Sequence, residues 1–127
     1  MNTDVGLIGE KDLTRSAIGA ALRVSNALGA GFLEKVYENA LAIELRLSGH
    51  EVEQQRAIEV RYRGEIVGVY QADLVVDGRL VVELKAVDAL SPAHKAQCLN
   101  YLRATGIHTG LLLNFGRPRL EVRRILY

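Results

Sequence analysis

The sequence is poor in residue types on which several classes of protein depend. It contains one cysteine, Cys98, no tryptophan, two phenylalanines and two prolines in 127 residues. A single cysteine cannot form an internal disulfide, so the fold does not rely on an oxidising compartment. No apolar stretch approaches the ~20 residues that a membrane-spanning helix needs, and residues 1–10 lack a basic region followed by an apolar one. We therefore expect a cytoplasmic protein with no membrane segment.

Strong charge of either sign is also missing, because the formal net charge is only +1. Proteins that bind nucleic acid mainly through phosphate contacts are usually more basic than this, which argues against a simple nucleic-acid coat. A nuclease remains compatible, since a carboxylate-rich active site offsets a basic rim. His50, His94, His108 and Cys98 do not have the spacing of a zinc site. The length and the 49% apolar content predict one globular domain over residues 1–127, with residues 1–10 as a loose N-terminal segment.

The apolar pattern changes from helical spacing to strand-like runs after Gly49. It predicts helices over residues 12–28 and 32–48, and a third from Ser91-Pro92 to about Ala104. It predicts strands over residues 52–62, 65–76, 80–84, 111–113 and 121–126, the last at a sheet edge. Asp77-Gly78 is a typical two-residue hairpin turn. The order α-α-β-β-β-α-β-β predicts a mixed α/β domain, with helices packed against a hairpin-built sheet.

Three charged residues stand in or beside the most apolar strand. Glu83 and Lys85 are two apart, so their side chains point to the same face of the strand. Asp73 precedes the Asp77-Gly78 turn and can lie beside Glu83 across the two strands. Two adjacent carboxylates in an apolar sheet repel each other unless a cation lies between them. Carboxylates, a backbone carbonyl and waters suit a hard divalent ion, although an acid-x-Lys pair on a strand is more often a solvated ion pair.

Polar residues on the predicted helices are further candidates. Glu34 shares a helical stripe with Leu41 and Leu45, although an acid at a helix start is also favoured by the helix dipole. Glu38, one turn later, can pair with Glu34 or remain solvated. Gln97 and Tyr101 are neighbours at i and i+4, and their polar ends can face either the ionic centre or solvent.

The motifs of the chain resemble those of the GxxExxY proteins. Gly31, Glu34 and Tyr37 match the signature of that name within the sequence Gly31-Phe32-Leu33-Glu34-Lys35-Val36-Tyr37. Four later segments are similar to the same family: Gln71-Ala72-Asp73-Leu74, Val82-Glu83-Leu84-Lys85-Ala86, Gln97-Cys98-Leu99-Asn100-Tyr101-Leu102 and Leu111-Leu112-Leu113-Asn114-Phe115-Gly116. The resemblance extends over about residues 12–126.

The GxxExxY proteins are grouped with the PD-(D/E)xK nucleases, and this grouping implies a restriction-endonuclease-like core with a central mixed sheet flanked by helices. It implies a Mg²⁺ (or Mn²⁺) site and cleavage of DNA in preference to RNA. The implied site consists of Asp73, Glu83 and the backbone carbonyl of Leu84 as metal ligands, Glu34 as the helix-borne acid and a further candidate ligand, and Lys85 as the catalytic lysine. Gln97 and Tyr101 match a Gln-x-x-x-Tyr helix that supports the site or contacts nucleic acid, and Tyr37 is a supporting residue.

Two other functional classes remain open from the sequence. The first is a non-catalytic nucleic-acid-binding or accessory module that retains the nuclease core, motivated by the small size and near-neutral charge. Its basic rim would come from Arg56, Arg61, Arg63, Arg117, Arg119, Arg123 and Arg124, which are equally compatible with ordinary solvated strand faces. The second is a self-associating or partner-binding domain, because exposed edge strands can support a homodimer or the binding of an unidentified protein.

Overall fold

The computed structural model describes residues 9–127, which form three helices and five strands in the predicted order. The helices are α1 (Glu10–Leu28), α2 (Glu34–Leu47) and α3 (Pro92–Thr105). The strands are β1 (Val52–Tyr62), β2 (Glu65–Val76), β3 (Leu80–Lys85), β4 (Thr109–Asn114) and β5 (Glu121–Leu126). None of the helices within residues 9–127 is long and apolar enough to cross a membrane.

The predicted element boundaries hold within about two residues. Helix α1 begins at Glu10, so residues 9 and 10 are not part of a loose segment, while the rest of that prediction lies outside the described residues. Helix α3 begins as predicted: the Ser91 hydroxyl accepts a hydrogen bond from the His94 amide, and the His94 ring accepts one from the Ser91 amide. This reciprocal cap gives His94 a local structural role.

The strands form one mixed sheet in the order β1-β2-β3-β4-β5. Strands β3 and β4 are parallel, and every other neighbouring pair is antiparallel. Strand β2 pairs with β3 only from Leu74 to Val76, whereas it pairs with β1 along nearly its whole length. The first half of β2 therefore continues with β1 as a two-stranded ribbon beyond the sheet. The α/β fold with its mixed sheet is confirmed.

Helices cover both faces of the sheet. One core cluster joins α1 and α2 to β3 residues Val82 and Leu84. The second cluster joins α3 to the other face, where Val81 packs with Tyr101 and Leu102. Because Val81 faces α3 and strand side chains alternate, Glu83 and Lys85 also point toward the α3 side. The apolar pattern of β3 is thus explained by burial on both faces.

A three-residue hydrogen-bonded clasp holds the end of the sheet that contains the β2–β3 turn. Nδ1 of His50 lies 2.8 Å from the Asp77 carboxylate, and Nε2 of the same ring lies 2.7 Å from the Ser16 hydroxyl. Asp77 and Gly78 both have positive φ angles, 53° and 65°, and the Arg79 amide donates to the Val76 carbonyl across them at 3.0 Å. The turn is as tight as predicted, but Val76 pairs with Leu80, so the loop has three residues instead of two. The clasp connects α1, the segment after α2 and the turn.

We expect His50→Ala to lower the free energy of unfolding by about 1–2 kcal/mol, since it leaves Asp77 and Ser16 without their partner. His108→Ala is the control, because His108 is exposed and contacts only the chain end among the described partners; its effect should stay within about 0.5 kcal/mol. Urea denaturation followed by circular dichroism measures both. Equal unfolding midpoints for the two variants would contradict this role of the clasp.

Candidate metal centre

Strands β2 and β3 separate immediately beyond the Leu74–Val82 pair, and two carboxylates occupy the opening. The backbone amide of Asp73 donates a hydrogen bond to Oε1 of Glu83 at 3.1 Å. The backbone amide of Leu84 donates to Oδ2 of Asp73 at 2.8 Å. Each carboxylate therefore takes the place that a backbone carbonyl of the other strand would have in a regular ladder. We refer to the opening formed by Asp73, Glu83 and Leu84 as the carboxylate gap.

The side-chain alternation of β2 is interrupted at Asp73. Leu74 packs in the α1–α2 cluster, whereas Ala72, two residues earlier, packs in the α3 cluster. Opposite Asp73 on β1, Gln55 has a φ of 52°, in the left-handed region that a residue with a side chain rarely adopts. This local irregularity lets β2 turn away from β3 and leaves the carboxylate gap open.

The backbone of Leu84 contributes a third oxygen to the gap. Its amide points toward β2, because it donates to Asp73. Its chain neighbour Lys85 points its own carbonyl the other way, toward Phe115, whose amide lies 2.8 Å from it. Since the amide and the carbonyl of one strand residue point to the same side, the Leu84 carbonyl faces the gap. Two carboxylates and one carbonyl therefore line the opening.

Burial decides the electrostatics of Glu83. Its residue exposure is 4%, and this burial, followed by the negative charge of Asp73, raises its pKa to about 9. A hydrogen bond with the Asp73 side chain acts in the same direction, as expected when two carboxyl groups share a proton. Without a cation, Glu83 is therefore protonated at neutral pH, and the pair carries less than its full negative charge.

The predicted helix residues lie around this pair. Glu34 is the first residue of α2, and its pKa is raised by partial burial and then by the charge of Asp73, with Lys85 acting in the opposite direction. The Lys85 ammonium donates to the Gln97 side chain over 3.4 Å. Burial, followed by the charges of Glu83 and Asp73, raises the pKa of Tyr101 to about 12. Electrostatic coupling thus links both helices to the carboxylate gap.

Tyr37 supports the loop before α2 rather than facing the opening. Its residue is fully buried, and its ring stacks on Phe115 with centroids 4.8 Å apart. The Tyr37 hydroxyl donates to the Gly29 carbonyl at 2.6 Å and accepts from the Phe32 amide at 3.1 Å. These bonds hold the chain that leads into Glu34.

Glu38 is neither paired with Glu34 nor solvated, contrary to the sequence interpretation. It is 3% exposed, and Lys35, Gln54 and Gln55 all donate hydrogen bonds to it. The Gln55 side chain also donates to Oδ1 of Asp73 at 3.2 Å. Gln55 therefore bridges α2 to the carboxylate gap. A polar residue in a loosely alternating strand gives no sign of this role in the sequence.

Asn114 and Gly116 hold the segment that follows Lys85, a role that no motif of the sequence predicts for either residue. The buried Asn114 side chain donates to the Val87 carbonyl, and its oxygen accepts from the amides of Val87 and Gly116. A Cβ atom on Gly116 would lie 2.3 Å from the Val87 carbonyl oxygen, so only glycine fits there. This close packing fixes the direction of β3 as it leaves the site.

A model of the PD-(D/E)XK nuclease superfamily matches residues 11–125. The chain belongs to the PD-(D/E)XK nuclease superfamily. The solved structure of SSO0001 is similar to it, with a TM-score of 0.55 and 23% sequence identity over 92% of this chain. The match covers 58% of the SSO0001 chain, and at this identity it supports the fold alone. No curated protein shows significant sequence similarity to the chain.

The oxygen donors of this PD-(D/E)XK chain fit a hard divalent ion. Within residues 9–127, no three His, Cys, Asp or Glu side chains converge to form a complete ligand cluster. Mg²⁺ does not need such a cluster, since it usually keeps several waters and binds through one or two carboxylates plus substrate phosphates. Asp73, Glu83 and the Leu84 carbonyl match that requirement without a third side-chain ligand.

The raised pKa of Glu83 predicts how the free energy of unfolding depends on pH when a chelator keeps the protein free of metal ions. Unfolded glutamate loses its proton near pH 4.5, whereas folded Glu83 retains it to about pH 9. Between these values the folded state binds one more proton, so the free energy of unfolding falls as pH rises. Glutamine can accept from the Asp73 amide and donate to its carboxylate, as protonated Glu83 does. Glu83→Gln should therefore remove much of this fall and stabilise the protein by at least about 1 kcal/mol at pH 8.

Denaturation in EDTA between pH 5 and pH 9 measures this difference. Glu65→Gln is the control, because Glu65 is an exposed acid near the tip of the ribbon. It should follow the wild-type profile throughout. A Glu83→Gln profile that also coincides with wild type would contradict a protonated, buried Glu83.

Proposed function

We propose that this protein is a Mg²⁺- or Mn²⁺-dependent nuclease that hydrolyses phosphodiester bonds, with DNA as a better substrate than RNA. The observation that carries the proposal is the carboxylate gap. Asp73 and Glu83 face each other where two strands separate, with Lys85 on the same face of β3. Membership of the PD-(D/E)XK superfamily and the similarity of the motifs to those of GxxExxY proteins support the same assignment.

The carboxylate gap has the donors to hold a cation and to orient it. Asp73, Glu83 and the Leu84 carbonyl would hold the ion, and Glu34 would be a further ligand, either directly or through water. When bound, a divalent ion supplies a Lewis acid for the phosphoryl oxygen and lowers the pKa of a bound water. Glu83 would have to give up its proton to act as a ligand, because a carboxylate binds a metal in its deprotonated form.

Lys85 is the residue proposed to act on the reacting phosphate. Its ammonium lies on the α3 side of β3, held toward that helix by Gln97. A cation at this position stabilises negative charge that develops on the phosphoryl oxygens and orients the attacking water. The Tyr101 hydroxyl can donate a hydrogen bond to a phosphate oxygen, because a tyrosine is protonated at neutral pH and burial moves its pKa further from neutrality.

We expect Glu83→Gln to weaken Mn²⁺ and Mg²⁺ binding at least about tenfold, because a neutral amide cannot replace a carboxylate ligand. Lys85→Met should leave metal binding within about twofold and reduce cleavage at least about 100-fold. It removes only the positive charge that stabilises the reacting phosphate. Isothermal calorimetry measures the binding of Mn²⁺ and Mg²⁺. Cleavage is followed with labelled single- and double-stranded DNA and RNA as substrates. Glu65→Gln again serves as the control.

Each outcome distinguishes one function from another. If wild type binds the metal and cleaves a substrate, and Glu83→Gln loses both properties, the result would support a nuclease with this site. Metal binding by wild type without cleavage of any of the four substrates would favour a non-catalytic binding or accessory module. Cleavage by Glu83→Gln at the wild-type rate would overturn the assignment of the active site.

A further inference from the structure

A groove of about 1220 Å³ runs between α3 and the β1–β2 ribbon. One wall is β1 from Arg56 to Arg61, and the other is α3 from Ala93 to Thr105. The floor is formed where Tyr70 and Tyr101 meet, with ring centroids 6.0 Å apart. We refer to this surface as the ribbon–helix groove. Its volume exceeds the range of roughly 300–1,000 Å³ that is usual for a small-molecule pocket, which favours a larger occupant.

Both walls of the groove begin at the carboxylate gap. On the β1 side, Arg56 directly follows Gln55, whose side chain donates to Asp73. On the α3 side, Gln97 lines the groove and also accepts from Lys85. The groove therefore adjoins the carboxylate gap along both walls, so that a chain leaving the reacting phosphate can continue into it.

The charged side chains of the groove favour a polyanion. Its lining contains three arginines, Arg56, Arg61 and Arg103, and a single acid, Glu59. Glu59 pairs with Arg61 at 2.9 Å. Arg56 has only a 3.9 Å contact with the exposed Glu53, and exposed pairs of this kind are weak. Arg103 donates only to the neutral Asn100 side chain, at 3.5 Å, among the described residues. Arg56 and Arg103 are thus available for phosphates.

An exposed aromatic ring in the groove favours one strand over two. Unpaired bases can stack on aromatic side chains, whereas the bases of a duplex are already stacked on one another. The β1 wall extends roughly 17 Å at strand spacing, long enough to contact more than one phosphate of a bound strand. Tyr70 is 52% exposed, and its ring offers a surface on which an unpaired base can stack.

From this combination we propose that the ribbon–helix groove binds a single-stranded DNA segment and leads it to the carboxylate gap. The inference rests on the proposed nuclease function and specifies the form of its substrate. A single strand, or the unpaired end of a branched or frayed duplex, enters along Arg56 and Arg103 and presents one phosphate to Lys85. Fully paired DNA has no unpaired base to stack on Tyr70.

The test compares Arg56→Gln/Arg103→Gln with Arg15→Gln in the full-length chain. Arg15 is a matched control, because it is a helix arginine on α1, across the sheet from the groove, and contacts Asp12 at i−3 as Arg103 contacts Asn100. Fluorescence anisotropy with a labelled 12-nucleotide oligothymidine in EDTA measures binding without cleavage. The same measurement at several salt concentrations gives the slope of log affinity against log salt, which reports the number of phosphate contacts.

We expect the double variant to bind the oligonucleotide at least about tenfold more weakly, with a log–log salt slope lower by about 1.4, since each lost phosphate contact on a single strand contributes about 0.7. Arg15→Gln should match wild type within about twofold. A blunt duplex of equal length should bind wild type more weakly than the single strand, and a single-stranded RNA of the same length should not bind more tightly than the DNA.

The proposal is overturned if the double variant keeps the wild-type affinity and slope, if wild type does not bind the strand at low salt, or if the duplex or the RNA binds more tightly. Cleavage in Mg²⁺ separates this failure from that of the nuclease assignment. A wild-type protein that cleaves DNA while the double variant retains both binding and rate would leave the nuclease standing without the groove. Groove-dependent binding without any metal-dependent cleavage would contradict the nuclease alone.

Discussion

The exchange of hydrogen bonds between Asp73 and β3 is the interaction on which the site depends. The Asp73 carboxylate accepts a hydrogen bond from the Leu84 amide, and the Asp73 amide donates one to the Glu83 side chain. These bonds replace the ladder that would otherwise close β2 onto β3, so the gap stays open while its backbone groups remain hydrogen-bonded. The cost is two adjacent carboxyl groups in a largely buried position. A shared proton offsets that repulsion in the absence of a cation, and a divalent ion would offset it more effectively.

The surrounding structure stabilises this arrangement from both sides. Gln55, in a left-handed backbone conformation, bridges Asp73 to the buried Glu38. Backbone conformations of this kind persist where the surrounding contacts over-determine them, and they cluster at functional sites. On the other side, Asn114 and Gly116 hold the segment after Lys85. Because Gln55 directly precedes Arg56, the first residue of the β1 wall, it connects the proposed metal site with the proposed path of the substrate.

The sequence predicts those features that arise from local pattern. The Asp77-Gly78 turn places Asp73 opposite Glu83, and strand alternation places Glu83 and Lys85 on one face. The roles of Glu38, Gln55 and Arg103 depend on residues distant in the chain that meet only after folding. The break in alternation at Asp73 is equally invisible in the sequence, since it arises from the backbone irregularity opposite it. Local propensity gives no warning when tertiary contacts impose such a conformation.

The most direct test of the account is anomalous diffraction from crystals grown with Mn²⁺, which identifies the position of the ion independently of activity. We predict an anomalous peak within the carboxylate gap, about 2.0–2.3 Å from a carboxylate oxygen of Asp73, one of Glu83 and the carbonyl oxygen of Leu84. The same crystals of Glu83→Gln should lack the peak. A gap without anomalous density at saturating Mn²⁺, or an ion bound only at another surface, would contradict the central claim that this opening is a metal site.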